Sequence, residues 1–294
     1  MKAEDSNSQP QEWVPSKRWN PFNSYKLLSH VHRWRHIKRG KAIPPPVLIT
    51  VDPTNLCNFN CAWCNAAYVR SHRKGSLSEK ALMQLADFLP CWGEVSSVWK
   101  PGVEAICIAG GGEPLLNPAT AAFIDRVIAN NIEVGVVTNG SLMYPAMDSL
   151  SNCTWVGVSM DAGTSETLNK IKKLKPERNT FDTVINNIAT LVDYSKRHNH
   201  RLGAPHPAYG VSYKYLLYKD NIGEIHQAAK LAKEIGCKNI HFRPAGTTWD
   251  NVGNPTNSIQ FEPDEIELFN EEIAKTLELD DDTFNVYVLS LIHI

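Results

Sequence analysis

Short runs of β-branched and other apolar residues alternate along this chain with longer stretches whose apolar residues recur every three or four positions. The short runs are 47–52 (VLITVD), 104–110 (EAICIAG), 133–139 (EVGVVTN), 155–161 (WVGVSMD), 209–217 (YGVSYKYLL) and 239–244 (NIHFRP). Their length and composition predict strands. The longer stretches predict helices near 78–89, 118–130, 144–150, 180–197, 222–235 and 263–277, because that spacing gathers apolar side chains on one face. Strands separated by helices predict an α/β fold with a parallel sheet, since parallel neighbours need a crossover. The near-continuous apolar character of the strands predicts burial on both faces. Right-handed crossovers would curl such a sheet into a partial (β/α)6 barrel.

The pattern fails at both ends. Residues 1–23 are polar and proline-containing and read as a loose arm. Residues 24–41, SYKLLSHVHRWRHIKRGK, are basic with interleaved aromatics. They predict a solvated amphipathic helix outside the main domain, with a site for a polyanion or a partner protein as the sharper alternative. The proline run 44–46 ends any helix there. The division expected is therefore an arm and basic helix over 1–43 and a core domain over 44–283. The last residues, LSLIHI (289–294), match the translation of a transposase mosaic-end sequencing adapter. They read as a cloning or assembly scar, so a native C-terminal region is expected to be missing; a genuine strand end is the alternative.

Charge and cysteine usage narrow the class. The formal net charge of −1 favours neither nucleic acid nor an anionic membrane. No apolar run approaches the roughly 20 residues that span a bilayer. The start, MKAEDSNSQPQEW, lacks the apolar centre of a signal peptide, so a cytoplasmic location is expected by default. Seven cysteines in a long chain without such a signal do not suggest a disulfide framework. Cys91, Cys107, Cys153 and Cys237 are scattered and read as core or incidental, Cys107 as a small core residue within AICIAG.

Cys57, Cys61 and Cys64 stand apart. Their C-x3-C-x2-C spacing directs three thiolates at one centre and leaves an iron of a cubane cluster open. The alternatives are zinc, with His72 near enough in sequence to be a fourth ligand, and a closed, non-catalytic iron–sulfur site. The segment follows the first strand. Gly110-Gly111-Gly112-Glu113-Pro114 follows the second, Thr138-Asn139-Gly140 the third, Ser159 and Asp161 end the fourth, and His241-Phe242-Arg243-Pro244 ends the sixth. In barrels the C-terminal ends of the strands carry the active site. Taken singly, the glycine run and Asn139-Gly140 also fit tight turns, and Lys170, Lys172 and Lys173 read as a solvated stretch from which one could reach a carboxylate.

Together these motifs resemble the radical S-adenosylmethionine (radical SAM) superfamily over residues 47–245, the MoaA/NifB/PqqE-like group in particular. The resemblance implies a TIM-like barrel, a [4Fe–4S] cluster on Cys57, Cys61 and Cys64, and S-adenosyl-L-methionine on the open iron. It implies Trp63 near the adenine, contacts from Gly111, Gly112 and Glu113 to the cofactor's amino group, and Ser159 on its carboxylate or ribose. Asn139 would face cofactor or substrate. Arg243 would stack near adenine or pair with the cofactor's carboxylate, a surface ion pair being the alternative. The implied activity is reductive cleavage to a 5′-deoxyadenosyl radical that takes hydrogen from a peptide, protein or small-molecule substrate. The implied electron donor is of the flavodoxin or ferredoxin kind. Many members carry further cluster-binding cysteines in a SPASM or twitch region; none is visible in this sequence.

Overall fold

The computed structural model describes residues 28, 30–40, 43–93, 100–206, 208–245 and 261–288. The strands are β1 (Leu48–Val51), β2 (Ala105–Ile108), β3 (Glu133–Thr138), β4 (Trp155–Ser159), β5 (Gly210–Leu217), β6 (Asn239–Pro244) and β7 (Asn285–Val288). All pair in parallel in chain order, from β1 at one edge to β7 at the other. The helices are α1 (Val31–Lys38), α2 (Ala67–His72), α3 (Glu79–Phe88), α4 (Thr120–Ala129), α5 (Met147–Ser151), α6 (Ser165–Lys172), α7 (Thr180–Arg197), α8 (Ile225–Glu234) and α9 (Pro263–Leu277).

Each predicted strand is present, and β7 adds one that the pattern did not show. Its four residues, NVYV, are too short to stand out, and they lie beyond the expected domain end at 283. They pair with β6 from Asn239↔Asn285 to Phe242↔Val288, after α9 has crossed over. Among the described residues the barrel is therefore seven-stranded and open rather than six-stranded.

The expectation of burial on both faces needs correcting. β3 alternates strictly between half-buried and buried residues, and β2 does the same. Ile106, Ile108, Val134, Val136, Val156 and Val158 are essentially inaccessible and join one core with Leu82, Phe123 and Ile124 of α3 and α4. Burying each such side chain contributes about 1.5–3 kcal/mol. The alternate positions, Cys107, Gly135, Trp155, Ser159, Lys214 and His241 among them, form the inner face, which an open barrel leaves partly uncovered. Cys107 is thus a half-buried inner-face residue and not a core one.

α1, a basic helix within 24–41, is docked through a polar anchor. Arg33 is buried, donates to the Pro45 carbonyl (2.8 Å) and pairs with Glu104 just before β2. Trp34 and Ile37 on the same helix stay exposed. The polar arm 1–23 and the segment 289–294 lie outside the described residues.

Candidate active site

A cleft of about 190 Å³ opens at the C-terminal ends of the strands, bordered by Cys57, Cys61, Cys64, the 110–113 loop, Asn139 and Ser159. Sequence positions far apart converge here because every β-to-α loop of a parallel sheet leaves from the same edge.

The cysteine loop is clamped from several sides. At its start, the buried Thr54 hydroxyl donates to the Gly75 carbonyl (2.9 Å) and accepts from the Leu56 N–H (3.1 Å). At its middle, the Asn60 and Ala62 N–H groups donate to the carbonyls of Lys172 (3.3 Å) and Ile171 (2.8 Å), the last residues of α6. Arg70 of α2 donates to the Phe59 carbonyl (3.0 Å) and reaches toward the Cys64 sulfur (3.7 Å). The Glu113 N–H donates to the Leu56 carbonyl (2.7 Å). This last contact explains Gly112: a Cβ there would lie 2.2 Å from the Leu56 oxygen. The missing side chain lets the 110–113 loop lie against the cysteine loop itself.

Glu113 is buried, and its carboxylate accepts from the Thr138 hydroxyl (2.6 Å) and the N–H groups of Asn139 (2.7 Å) and Leu115 (3.2 Å). Burial pushes its pKa up, against those donors. A carboxylate offers about four lone-pair positions, so little capacity remains for a ligand. Asn139 is similarly engaged: its amide donates to Asn58 (2.8 Å) and its oxygen accepts from Ser141, whose hydroxyl accepts from Asn58 (2.9 Å). The end of β3 is thereby latched to the cysteine loop.

At the end of β4 the solvated reading holds for Lys170 and Lys173, which are exposed, and fails for Lys172. Lys172 is 3% exposed and pairs with Asp161, 1% exposed. Asp161 also accepts from the Leu216 N–H (2.7 Å). Burial pushes the Lys172 pKa down, but the charge and hydrogen bond of Asp161 together with the neighbouring Cys61 and Cys57 raise it overall. Lys172 was hidden because α6, SETLNKIK, shows only Leu168 and Ile171 as a short apolar pair. The helix instead relies on the Thr164 cap and on Glu224, which accepts from Gly163, Thr164 and Thr167. Trp63 is buried, 4.9 Å from the Tyr218 ring and 5.8 Å from the Lys172 ammonium. Ser159 lines the cleft, and its hydroxyl makes no hydrogen bond among the described residues. Arg243 does not border the cleft; it is exposed on the β6 inner face.

The donor set fits an iron–sulfur cluster. All three thiols are free and soft, the ligand class such clusters take. The Phe59 N–H already points at the Cys57 sulfur (3.5 Å), as Arg70 does at Cys64. Burial raises the Cys57 and Cys61 pKa values, so ligation would displace protons. No three His, Cys, Asp or Glu side chains among the described residues converge on a single-ion site. His72, the alternative zinc ligand, instead bonds the Tyr68 carbonyl (2.9 Å) at the exposed end of α2.

Comparison with known proteins agrees with this geometry. The family model described as the radical SAM superfamily matches residues 51–207. An AdoMet-dependent heme synthase of Methanosarcina barkeri is 27% identical over 201 residues, covering 67% of this chain and 50% of that protein. The antilisterial bacteriocin subtilosin biosynthesis protein AlbA of Bacillus subtilis is 25% identical, covering 68% of this chain and 39% of that protein. The chain thus spans half or less of these relatives' length. The crystal structure of Streptococcus suis SuiB bound to the precursor peptide SuiA shares the fold, with a TM-score of 0.62 and 13% identity over 91% of this chain and 54% of that one. No helix among the described residues is long and apolar enough to cross a membrane.

Proposed function

The chain belongs to the radical SAM superfamily, and on that premise we propose that it cleaves S-adenosylmethionine reductively at a [4Fe–4S] cluster held by Cys57, Cys61 and Cys64, acting on a peptide or protein substrate. The observation that carries the reading is the convergence of three free thiols, the 110–113 loop and the uncommitted Ser159 hydroxyl on one cleft. The likeness to AlbA, a bacteriocin biosynthesis protein, supports the substrate class.

The chemistry supplied by the bound cofactors is one-electron cleavage to methionine and a 5′-deoxyadenosyl radical that abstracts hydrogen from the substrate. A donor of the flavodoxin or ferredoxin kind supplies the electron. The chain's own residues orient and exclude. Arg70, Lys172 and Asn58 fix the shape of the cysteine loop. Glu113 fixes the loop that carries Gly111 and Gly112 beside it. Ser159 offers a donor and acceptor to the cofactor's carboxylate or ribose, and Trp63 gives an apolar wall for adenine.

Anaerobic reconstitution tests this. The wild type should take up about four irons and form 5′-deoxyadenosine under dithionite. Cys61→Ala should lose both. Cleavage at the wild-type rate in that variant would overturn the assignment.

A further inference from the structure

Below Ser159 the inner face of the sheet carries a second arrangement. Ser159, Lys214, His241 and Tyr287 are register partners across β4, β5, β6 and β7, and so share one face. Arg243 stands one step higher on that face of β6, beside Leu216, which borders the cleft. Beneath them lies the Trp155 indole, for which a glycine on the neighbouring β3 and another on β4 itself leave room. A Cβ on Gly135 would lie 3.1 Å from the indole, and one on Gly157 would lie 2.5 Å from it and 2.8 Å from the Lys214 side chain. Lys214 therefore crosses Gly157 and sets its ammonium 5.2 Å from the Trp155 ring centre.

We propose that Lys214 and Arg243 form a subsite for an oxyanion of the substrate, a carboxylate or a phosphate, beneath the cleft; the inference rests on the radical SAM reading of that cleft. The argument is one of unmet charge. An ammonium carries three donors and a guanidinium five. The Lys214 ammonium and the Arg243 guanidinium make no hydrogen bond or ion pair among the described residues. The nearby carboxylates are committed: Asp161 to Lys172 and the Leu216 N–H, Asp52 to the Gly111 N–H (3.2 Å). The indole face attracts a cation but accepts no conventional hydrogen bond. Burial and Arg243 together lower the Lys214 pKa, the mark of a charge whose partner has yet to arrive. An oxyanion would supply acceptors for both side chains and cancel their mutual repulsion. It would hold the substrate by one end, with the remainder rising past Ser159 toward the cysteine loop.

The test is calorimetric titration of the reconstituted wild-type protein, holding S-adenosylmethionine, with inorganic phosphate and separately with glutarate at constant ionic strength. Saturable binding of either supports the subsite; glutarate alone identifies a carboxylate source and phosphate alone a phosphate source. Lys214→Met should weaken binding about 10- to 100-fold, the loss of one charge-assisted hydrogen bond. Arg243→Met, at an exposed position that tolerates substitution, should weaken it in the same direction. No saturable binding, equal affinity in Arg243→Met, or displacement of the anion by S-adenosylmethionine would each overturn the inference. Formation of 5′-deoxyadenosine by the same wild-type preparation separates the two readings. Cleavage without anion binding removes the subsite alone; anion binding without cleavage removes the radical SAM reading and leaves the cations with a ligand.

Discussion

The two halves of the site are built on opposite principles. Along the β1–β3 side, and at Asp161, polar side chains are spent on one another: Glu113 on Thr138 and Asn139, Asn139 on Asn58, Asp161 on Lys172. On the inner face of β4–β6, Ser159, Lys214 and Arg243 have no hydrogen-bond partner among the described residues. Ser159 and Lys214 are half-buried and Arg243 is exposed; a polar group partly withdrawn from water without a partner costs free energy, and a ligand that supplies one recovers it. Saturation marks a holder whose geometry must not move, and incompleteness marks a surface meant to be met. A polar residue that borders a cleft can thus hold the frame as well as face a ligand: Glu113 already receives three donors from the protein.

The hardest blow to the saturated half is Lys172→Met. It strips the buried Asp161 of its cation and disturbs the α6 terminus whose carbonyls hold Asn60 and Ala62. Removing one partner of a buried pair costs about 3–5 kcal/mol, measured here by urea unfolding of the apoprotein. Asp161→Asn added to that variant should recover part of the loss, because the stranded charge is what costs. A penalty under about 1 kcal/mol would mean that the pair behaves as a surface one.

Glu113→Ala comes next. It leaves the Thr138 hydroxyl and the Asn139 and Leu115 N–H groups without their acceptor. Leaving buried donors unsatisfied costs about 1–3 kcal/mol, and the latch between the 110–113 loop and β3 should loosen. If Glu113 contacted only cofactor, the apoprotein's stability would not change, and only S-adenosylmethionine affinity would fall.

What the sequence disclosed follows from which forces were local. Six strands were legible because each is a short run of β-branched and other apolar residues, and the cysteine loop stood out because three soft ligands within eight residues have few other uses. α6 and Lys172 were not, since a lysine-rich stretch with two apolar residues reads as solvated; its burial depends on Asp161, 11 residues away, and its helix on Glu224 from another loop. The partners of Glu113 could not be read either, because Thr138 is 25 residues distant and meets it only once β2 and β3 pair. Arg243 was correctly placed at a strand end, yet facing direction depends on register, and register puts it beside Leu216, on the same face as Lys214.

The subtlest effect falls on the open half and reads its charge directly. Burial pushes the His241 imidazole down to about 3, and the neighbouring Lys214 and Arg243 push the same way. A histidine depressed in the fold stays neutral there while the unfolded chain takes up a proton below about pH 6.5. Its contribution to stability is therefore full above that pH and is lost as pH falls toward about 3. The His241 Cε1–H resonance should stay flat between pH 8 and pH 5 in the wild type, measured by NMR on the apoprotein. In Lys214→Met one cause of the depression is gone, so the pKa should rise while burial still holds it below the free value. Saturating phosphate or glutarate should raise it in the wild type as well, since an anion between the two cations favours the imidazolium. A wild-type resonance that titrates near pH 6.5, unmoved by Lys214→Met, would mean that the inner face is as well neutralised as the cysteine side, and the contrast between the two halves would fall.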